Sequence, residues 1–182
     1  IIDFTYDWEY WINPQQEIVY ISPSCERITG YSVKEFMQDP SLLAKIIHPE
    51  DRDRIVPHLY QNLCESNNQE IDFRIITRDQ QVRWIGHNYQ PIYDAAGQYQ
   101  GKRVSNRDIT QRKQKETEAL RVAENLEMAQ RIAHVGNWEY DVVTQKITCS
   151  DELLQILGWV KEQDFLTFEE LRKLIHPDDR DK

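Results

Sequence analysis

Two short runs rich in β-branched and aromatic residues, Trp8 to Ile12 and Glu17 to Ile21, flank Asn13-Pro14-Gln15-Gln16, a spacing that predicts a β-hairpin. Ser22-Pro23 then reads as the opening of a helix, with Ser22 as N-cap, proline at the first helical position and Gly30 as the stop. Ser32-x-x-Glu35 is a capping box for a second short helix. At Ile47-His48-Pro49-Glu50-Asp51 the proline marks another start, with acids in the first turn facing the positive end of the helix dipole, and this helix is predicted to run to about Ser66. Three strand-like stretches follow, Glu70 to Thr77, Val82 to Tyr93 and Gln98 to Asn106, joined by Arg78-Asp79-Gln80-Gln81 and Asp94-Ala95-Ala96-Gly97. The predicted order is β-β-α-α-α-β-β-β.

From Asp108, the predicted N-cap, to Gly136 no glycine or proline interrupts the chain, which predicts one long helix. Ala119, Val122, Leu126, Ala129 and Ala133 form a heptad seam on it. A helix with so small an apolar seam is marginal alone, so the seam is expected to pair with a second copy or to pack on a domain.

The opening of the chain then recurs. Trp8-Glu9-Tyr10, Cys25 to Ile28, Gly30-Tyr31 and Ile47-His48-Pro49-Glu50-Asp51-Arg52 return as Trp138-Glu139-Tyr140, Leu153 to Ile156, Gly158-Trp159 and Ile175-His176-Pro177-Asp178-Asp179-Arg180. The second copy stops at this point, so the chain reads as one unit followed by the first half of another. Half a sheet leaves strand edges unpaired, and residues 134–182 are expected to be partly disordered or completed by another chain.

Composition narrows the function. Lys and Arg number 22 against 31 Asp and Glu, a formal charge of −9, the wrong sign for nucleic acid or an anionic membrane. With 40% hydrophobic and 29% charged residues the balance is globular, and no apolar run approaches the ~18 residues of a membrane span. Cys25, Cys64 and Cys149 are scattered, without a CxxC, which fits a reducing cytoplasm better than a disulfide framework or a zinc knuckle. The start at Ile1, with neither Met nor signal peptide, reads as a fragment of a longer protein. His48, Glu50 and Asp51, echoed by His176, Asp178 and Asp179, resemble a metal or hydrolase set in residue type alone. Adjacent residues at a helix start diverge, however, and capping, dipole complementation and a Glu50–Arg54 pair at i, i+4 explain them better. No catalytic residue and no metal site is expected.

The ordered series Tyr20-Ile-Ser-Pro-Ser-Cys-Glu-Arg-Ile-Thr-Gly-Tyr31, Ile47-His-Pro-Glu-Asp-Arg52, Arg83-Trp84, Gly101-Lys102 and Asp108-Ile109-Thr110 resembles a PAS (sensory box) domain with its C-terminal PAC motif, in the His-Pro-Glu/Asp-Asp subclass. The resemblance covers residues 4–110, followed by a signalling linker helix over 111–133 and the N-terminal part of a second PAS domain over 134–182. It implies an α+β fold: a five-stranded antiparallel sheet with helices packed on one face. It also implies a sensory or signal-relay module of a multi-domain protein of histidine kinase or diguanylate cyclase type, coupled to its effector through the linker helix. This chain carries neither a GGDEF run nor a glycine-rich nucleotide loop, so the fragment is expected not to be an enzyme. His134 reads as the lead-in to the second copy rather than a phosphoacceptor.

Flavin-binding light sensors of this fold carry an Asn-Cys-Arg-Phe-type run, whereas Cys25 lies in Ser-Pro-Ser-Cys-Glu, so a flavin adduct is not expected. Haem-binding relatives place a histidine where this chain has Ile55; His58 lies one turn away, and haem is disfavoured. A small-molecule pocket between sheet and helices would be lined by Tyr10, Ile28, Phe36, Ile55, Leu59, Phe73, Ile75 and Trp84, with Asn88, Tyr89 and Ser105 as polar anchors. Asp108, Ile109 and Thr110 are expected to couple the last strand to the linker helix, with Arg83 as a partner for Asp108. A homodimer through the PAS unit and the linker is the expected assembly; a ligand-free dimerisation and spacer module is the alternative.

Overall fold

The structure, a computed structural model, describes residues 6–60, 70–159, 167–174 and 176–179. The chain divides into two compact units, residues 1–115 and 116–182. In the first, strands β1 (Trp8–Ile12) and β2 (Ile18–Ile21) precede helices α1 (Ser24–Thr29), α2 (Val33–Gln38), α3 (Leu42–Lys45) and α4 (Pro49–Tyr60). Strands β3 (Ile71–Ile76), β4 (Val82–Tyr93) and β5 (Tyr99–Asp108) follow, and α5 (Thr110–Ala133) leaves the last of them. The predicted order is observed with one addition, the four-residue helix α3 between α2 and α4, which the sequence pattern does not predict. The predicted extension of α4 to Ser66 lies outside the described residues.

All strand pairs are antiparallel, in the order β2-β1-β5-β4-β3. Period-2 alternation sends Trp8, Tyr10 and Ile12, then Phe73 and Ile75, then Ile85, His87 and Tyr89, then Lys102, Val104 and Asn106 to one face. Cys25, Ile28, Phe36, Leu43, Ile55 and Leu59 from the helices, with Ile47 from the link between α3 and α4, close over that face and complete the core. Each leucine- or phenylalanine-sized side chain buried there contributes roughly 1.5–3 kcal/mol.

Among α1 to α4, one predicted cap behaves differently from expectation. Helix α1 begins at Ser24, and Ser22 makes no cap bond; its fully buried hydroxyl instead accepts the Glu9 N–H at 2.8 Å, tying the end of β2 to β1. At α2 the capping box of Ser32 and Glu35 forms in both directions, and Gly30 ends α1 with φ of 79°. Glu50 and Asp51 reach across to Arg74 on β3 rather than to Arg54, which donates to the Asp72 carbonyl.

In the second unit, β6 (Trp138–Asp141) and β7 (Lys146–Cys149) form a hairpin followed by α6 (Asp151–Ile156), α7 (Phe168–Leu174) and a 3₁₀ turn, Pro177–Asp179. Trp138 is 60% exposed, whereas its counterpart Trp8 is 2% exposed. The difference follows from pairing: β1 lies between β2 and β5, while β6 pairs with β7 alone among the described strands.

Candidate functional site

Polar side chains gather inside the first unit, where an apolar core would suffice for stability. His87, 2% exposed, lies with Nδ1 2.8 Å from Asn106 Oδ1, and Asn106 is equally buried. The His58 ring, on the last turn of α4, stands edge-on to His87 at 5.8 Å and to Tyr89 at 5.6 Å between ring centres. Lys102 is 6% exposed. Its ammonium donates to the Leu59 carbonyl at 2.6 Å and lies 5.6 Å from the centre of the Tyr89 ring.

Burial pushes His87 down to about 4, the bond to Asn106 only partly opposing it and the charges of His58 and Lys102 adding to it. Burial, then the positive charges of Lys102 and Arg54, lowers His58; burial alone lowers Lys102. Both imidazoles are therefore neutral at pH 7. With Nδ1–H donated to Asn106, His87 presents Nε2 as an acceptor. His58 Nε2, Trp8 Nε1 and Trp11 Nε1 are buried without a hydrogen-bond partner among the described residues, a rarity in native cores.

A second cluster stands where α5 leaves the sheet. Helix α5 starts at Thr110, so the cap position falls at Ile109 and Asp108, the predicted N-cap, lies one residue before it; its Oδ1 accepts the Thr110 N–H at 3.0 Å, two residues ahead, as in an Asx-turn. Asp108 Oδ2 lies 3.4 Å from Arg83, which also donates to the Arg27 carbonyl. The join itself is made to the backbone of Trp84, once by backbone and once by side chain: the Ile109 N–H donates to the Trp84 carbonyl and the Trp84 N–H to Thr110 Oγ1, both at 2.9 Å. Ile109 is buried over Gly86, where an added Cβ would stand 3.3 Å from its Cγ2.

The same turn is bound electrostatically. Lys113 pairs with Asp72 at 2.7 Å and lies 5.3 Å from the centre of the Trp84 ring, near which Arg74 also sits, at 5.5 Å. Arg74 in turn donates to both oxygens of Asp51 at 2.7 and 3.1 Å, holding the Asp51 carboxyl below the usual carboxylate range. A continuous set of contacts therefore runs from the start of α4, through β3 and Trp84, to the first turn of α5.

Of the side chains expected to line one pocket, Tyr10, Ile28, Phe36, Ile55, Leu59, Phe73, Ile75 and Tyr89 meet in the core. Trp84, Asn88 and Ser105 do not: alternation along β4 and β5 turns them to the opposite face, Trp84 toward Arg74 and Lys113, Asn88 and Ser105 into an open concavity of about 370 Å³ bordered by the Glu9–Arg103 and Asp7–Arg107 pairs. Sequence reading missed His87, Lys102 and Asn106. Their signal was period 2: each lies two residues from an apolar core position, Ile85 or Val104. Cys25 is buried on α1, its thiol against the Tyr31 carbonyl and raised by burial to about 12, which makes it a poor nucleophile.

A five-stranded antiparallel sheet, helices over one face, a polar interior and a long helix bonded to the sheet at its exit define a sensory-type α+β domain. Residues 18–101 match the protein-family model described as "PAS fold", and the chain carries a PAS domain. The PAS domain of a protein from Colwellia psychrerythraea superposes with a TM-score of 0.51 at 24% identity, over 60% of this chain and 92% of that one. The N-terminal domain of a diguanylate cyclase with PAS/PAC sensor from Marinobacter aquaeolei gives 0.51 at 25% identity, over 58% of this chain and 97% of that one. In sequence, the blue-light-activated histidine kinases of Brucella canis and Brucella ovis are 22% identical over 92% of this chain. The chain spans 36% of the length of those relatives. Among the described residues no helix is long and apolar enough to cross a membrane.

Proposed function

We propose that this chain is a sensory and relay segment of a multi-domain signal-transduction protein of histidine kinase or diguanylate cyclase type, itself without catalysis. The PAS domain over 4–110 senses a small molecule, or receives a conformational signal, and passes it along the linker helix of 111–133 toward a second PAS unit that begins in 134–182. The observation that carries this reading is the double attachment of Ile109 and Thr110 to the backbone of Trp84, which makes the first turn of α5 an extension of the sheet's own hydrogen bonding. Any ligand that changes β4 or β5 then acts directly on the helix. Coupling of this kind needs only about 1–3 kcal/mol.

Thr110→Val keeps the shape of the side chain and removes the acceptor for the Trp84 N–H. Hydrogen exchange should then quicken about tenfold through the first turn of α5, equivalent to ~1.4 kcal/mol, while the sheet stays protected. Unchanged exchange there would refute the attachment as a coupling element. Asp108→Ala should cost about 1 kcal/mol of stability, as a lost helix cap does, and should uncouple stimulus from output in the full-length protein. Normal signalling by that variant would remove Asp108 from the relay.

Exposed Leu126 and Val122, 58% and 55% accessible, support the assembly reading, a homodimer through the linker seam. Sedimentation equilibrium should give a dimer, with Leu126→Glu shifting it to monomer at least tenfold more readily. A monomeric wild type would exclude the seam as an interface. A dimer carrying no extra mass in native mass spectrometry would favour the ligand-free spacer.

A further inference from the structure

Among the described residues, Lys102 is a buried cation without a counter-ion. Its ammonium meets one neutral acceptor, the Leu59 carbonyl, and its remaining N–H directions have no described carboxylate within ion-pair distance. Its neighbours do not supply a charge: Tyr89 offers a ring face, and His58 and His87 are neutral imidazoles held so by burial. An isolated ammonium in an apolar interior is among the most expensive groups to bury, and proteins resolve the cost by deprotonation or by pairing it with an anion.

We propose that the interior of the PAS domain binds a small monocarboxylate, its carboxylate on Lys102 and its body against Tyr89, His58 and Phe73. This rests on the sensory reading above and specifies its ligand class. The charge count sets the valence: one buried positive charge compensates one negative charge, and a dianion such as the doubly ionised form of phosphate would leave a net charge in low dielectric. The walls set the body. The rings of His58, His87, Tyr89 and Phe73 lie 5.6–6.2 Å apart in successive edge-on or tilted contacts, a surface suited to a flat or apolar group. His58 Nε2, buried and without a partner among the described residues, adds one polar contact beside the ammonium. Lys102 also lies on β5, six residues before Asp108, so a charge bound there acts on the strand that becomes α5.

The test uses the full chain with acetate, benzoate and octanoate as probes and benzamide and inorganic phosphate as controls, followed by calorimetry and thermal melting. At least one of the carboxylates should bind and raise the melting temperature, benzamide and phosphate should not, and Lys102→Met should weaken that binding at least tenfold while melting no lower than wild type without ligand. Lys102→Gln, which keeps an N–H but not the charge, should lose binding in the same way. The proposal is overturned if none of the three carboxylates binds, if Lys102→Met binds them as wild type does, or if benzamide matches benzoate. Benzamide binding equal to benzoate would leave an interior ligand site and remove only its anionic character. Loss of the Thr110 coupling, by contrast, would remove the sensory reading itself.

Discussion

Acidification from about pH 7 to about pH 4.5 should destabilise the PAS domain steeply, by up to about 1.4 kcal/mol per pH unit below pH 6, the slope for one proton taken up on unfolding. The group responsible is His87. In the unfolded chain its imidazole takes a proton near pH 6.5, whereas burial in the fold delays protonation to about 4. The folded state thus refuses a proton that the unfolded state accepts. The stability His87 contributes is complete above the unfolded value and is lost progressively as the pH falls toward the folded one. His58, shifted the same way by burial, adds to the slope. Asp51 works in a lower window: Arg74 depresses it, so its contribution is present above the unfolded carboxylate value and fades only as the pH falls below that. His87→Gln, which retains a donor for Asn106, should remove the one-proton slope, up to about 1.4 kcal/mol per pH unit, from the urea-derived stability profile between about pH 6.5 and 4.5, leaving only what His58 adds. Parallel profiles for wild type and variant would show that His87 is not the titrating group.

Gly101→Ala should be the most damaging small substitution in the domain, costing at least about 3 kcal/mol. Gly101 has φ of 118°, a region that residues with a Cβ rarely enter, and an added Cβ would stand 2.0 Å from the Ile12 carbonyl oxygen. That oxygen belongs to the backbone of β1, so relief requires the β1–β5 pairing to part where Ile12 meets Lys102. The damage therefore reaches the strand that sets Lys102, Asn106 and Asp108. Gly97→Ala is the control: φ is 77° but nothing lies within 4 Å of the added atom, so only the backbone preference, about 1 kcal/mol, is lost. Chemical denaturation of the two variants checks the difference. Equal losses would show that the close approach to Ile12 is not what fixes Gly101.

Much of the fold was legible because its signals are local. The capping box at Ser32 and Glu35, the turn at Asn13 to Gln16 and the stop at Gly30 depend on residues within four positions of one another, and each appears as read. Ser22 shows where local reading ends. Its position before Pro23 suits an N-cap, but the Glu9 N–H, 13 residues away, competes for the same oxygen and holds it in the fully buried position. The helix start at Glu50 and Asp51 follows the same rule: a guanidinium from β3 displaces the i, i+4 partner because Arg74 engages both carboxylates at once. Asn88 and Tyr89 cannot share one pocket, because neighbouring strand residues face opposite ways.

The sequence by itself determined the order of the strands and of the helices other than α3, the capping box of α2, the turns, the repeat of the opening segment, and the PAS resemblance, since these rest on spacing along the chain. The tertiary structure decided the chemistry of the interior. His58 comes from a helix, His87 and Tyr89 from one strand, and Lys102 and Asn106 from another, and nothing in their separation along the chain says that they meet. Antiparallel register brings His87 opposite Asn106 and Tyr89 opposite Val104, and α4 lowers His58 onto both rings. Burial at that meeting point, a property of the assembled layers and of no single segment, is what makes the imidazoles neutral and lowers Lys102, whose ammonium meets the Leu59 carbonyl and, among the described residues, no carboxylate.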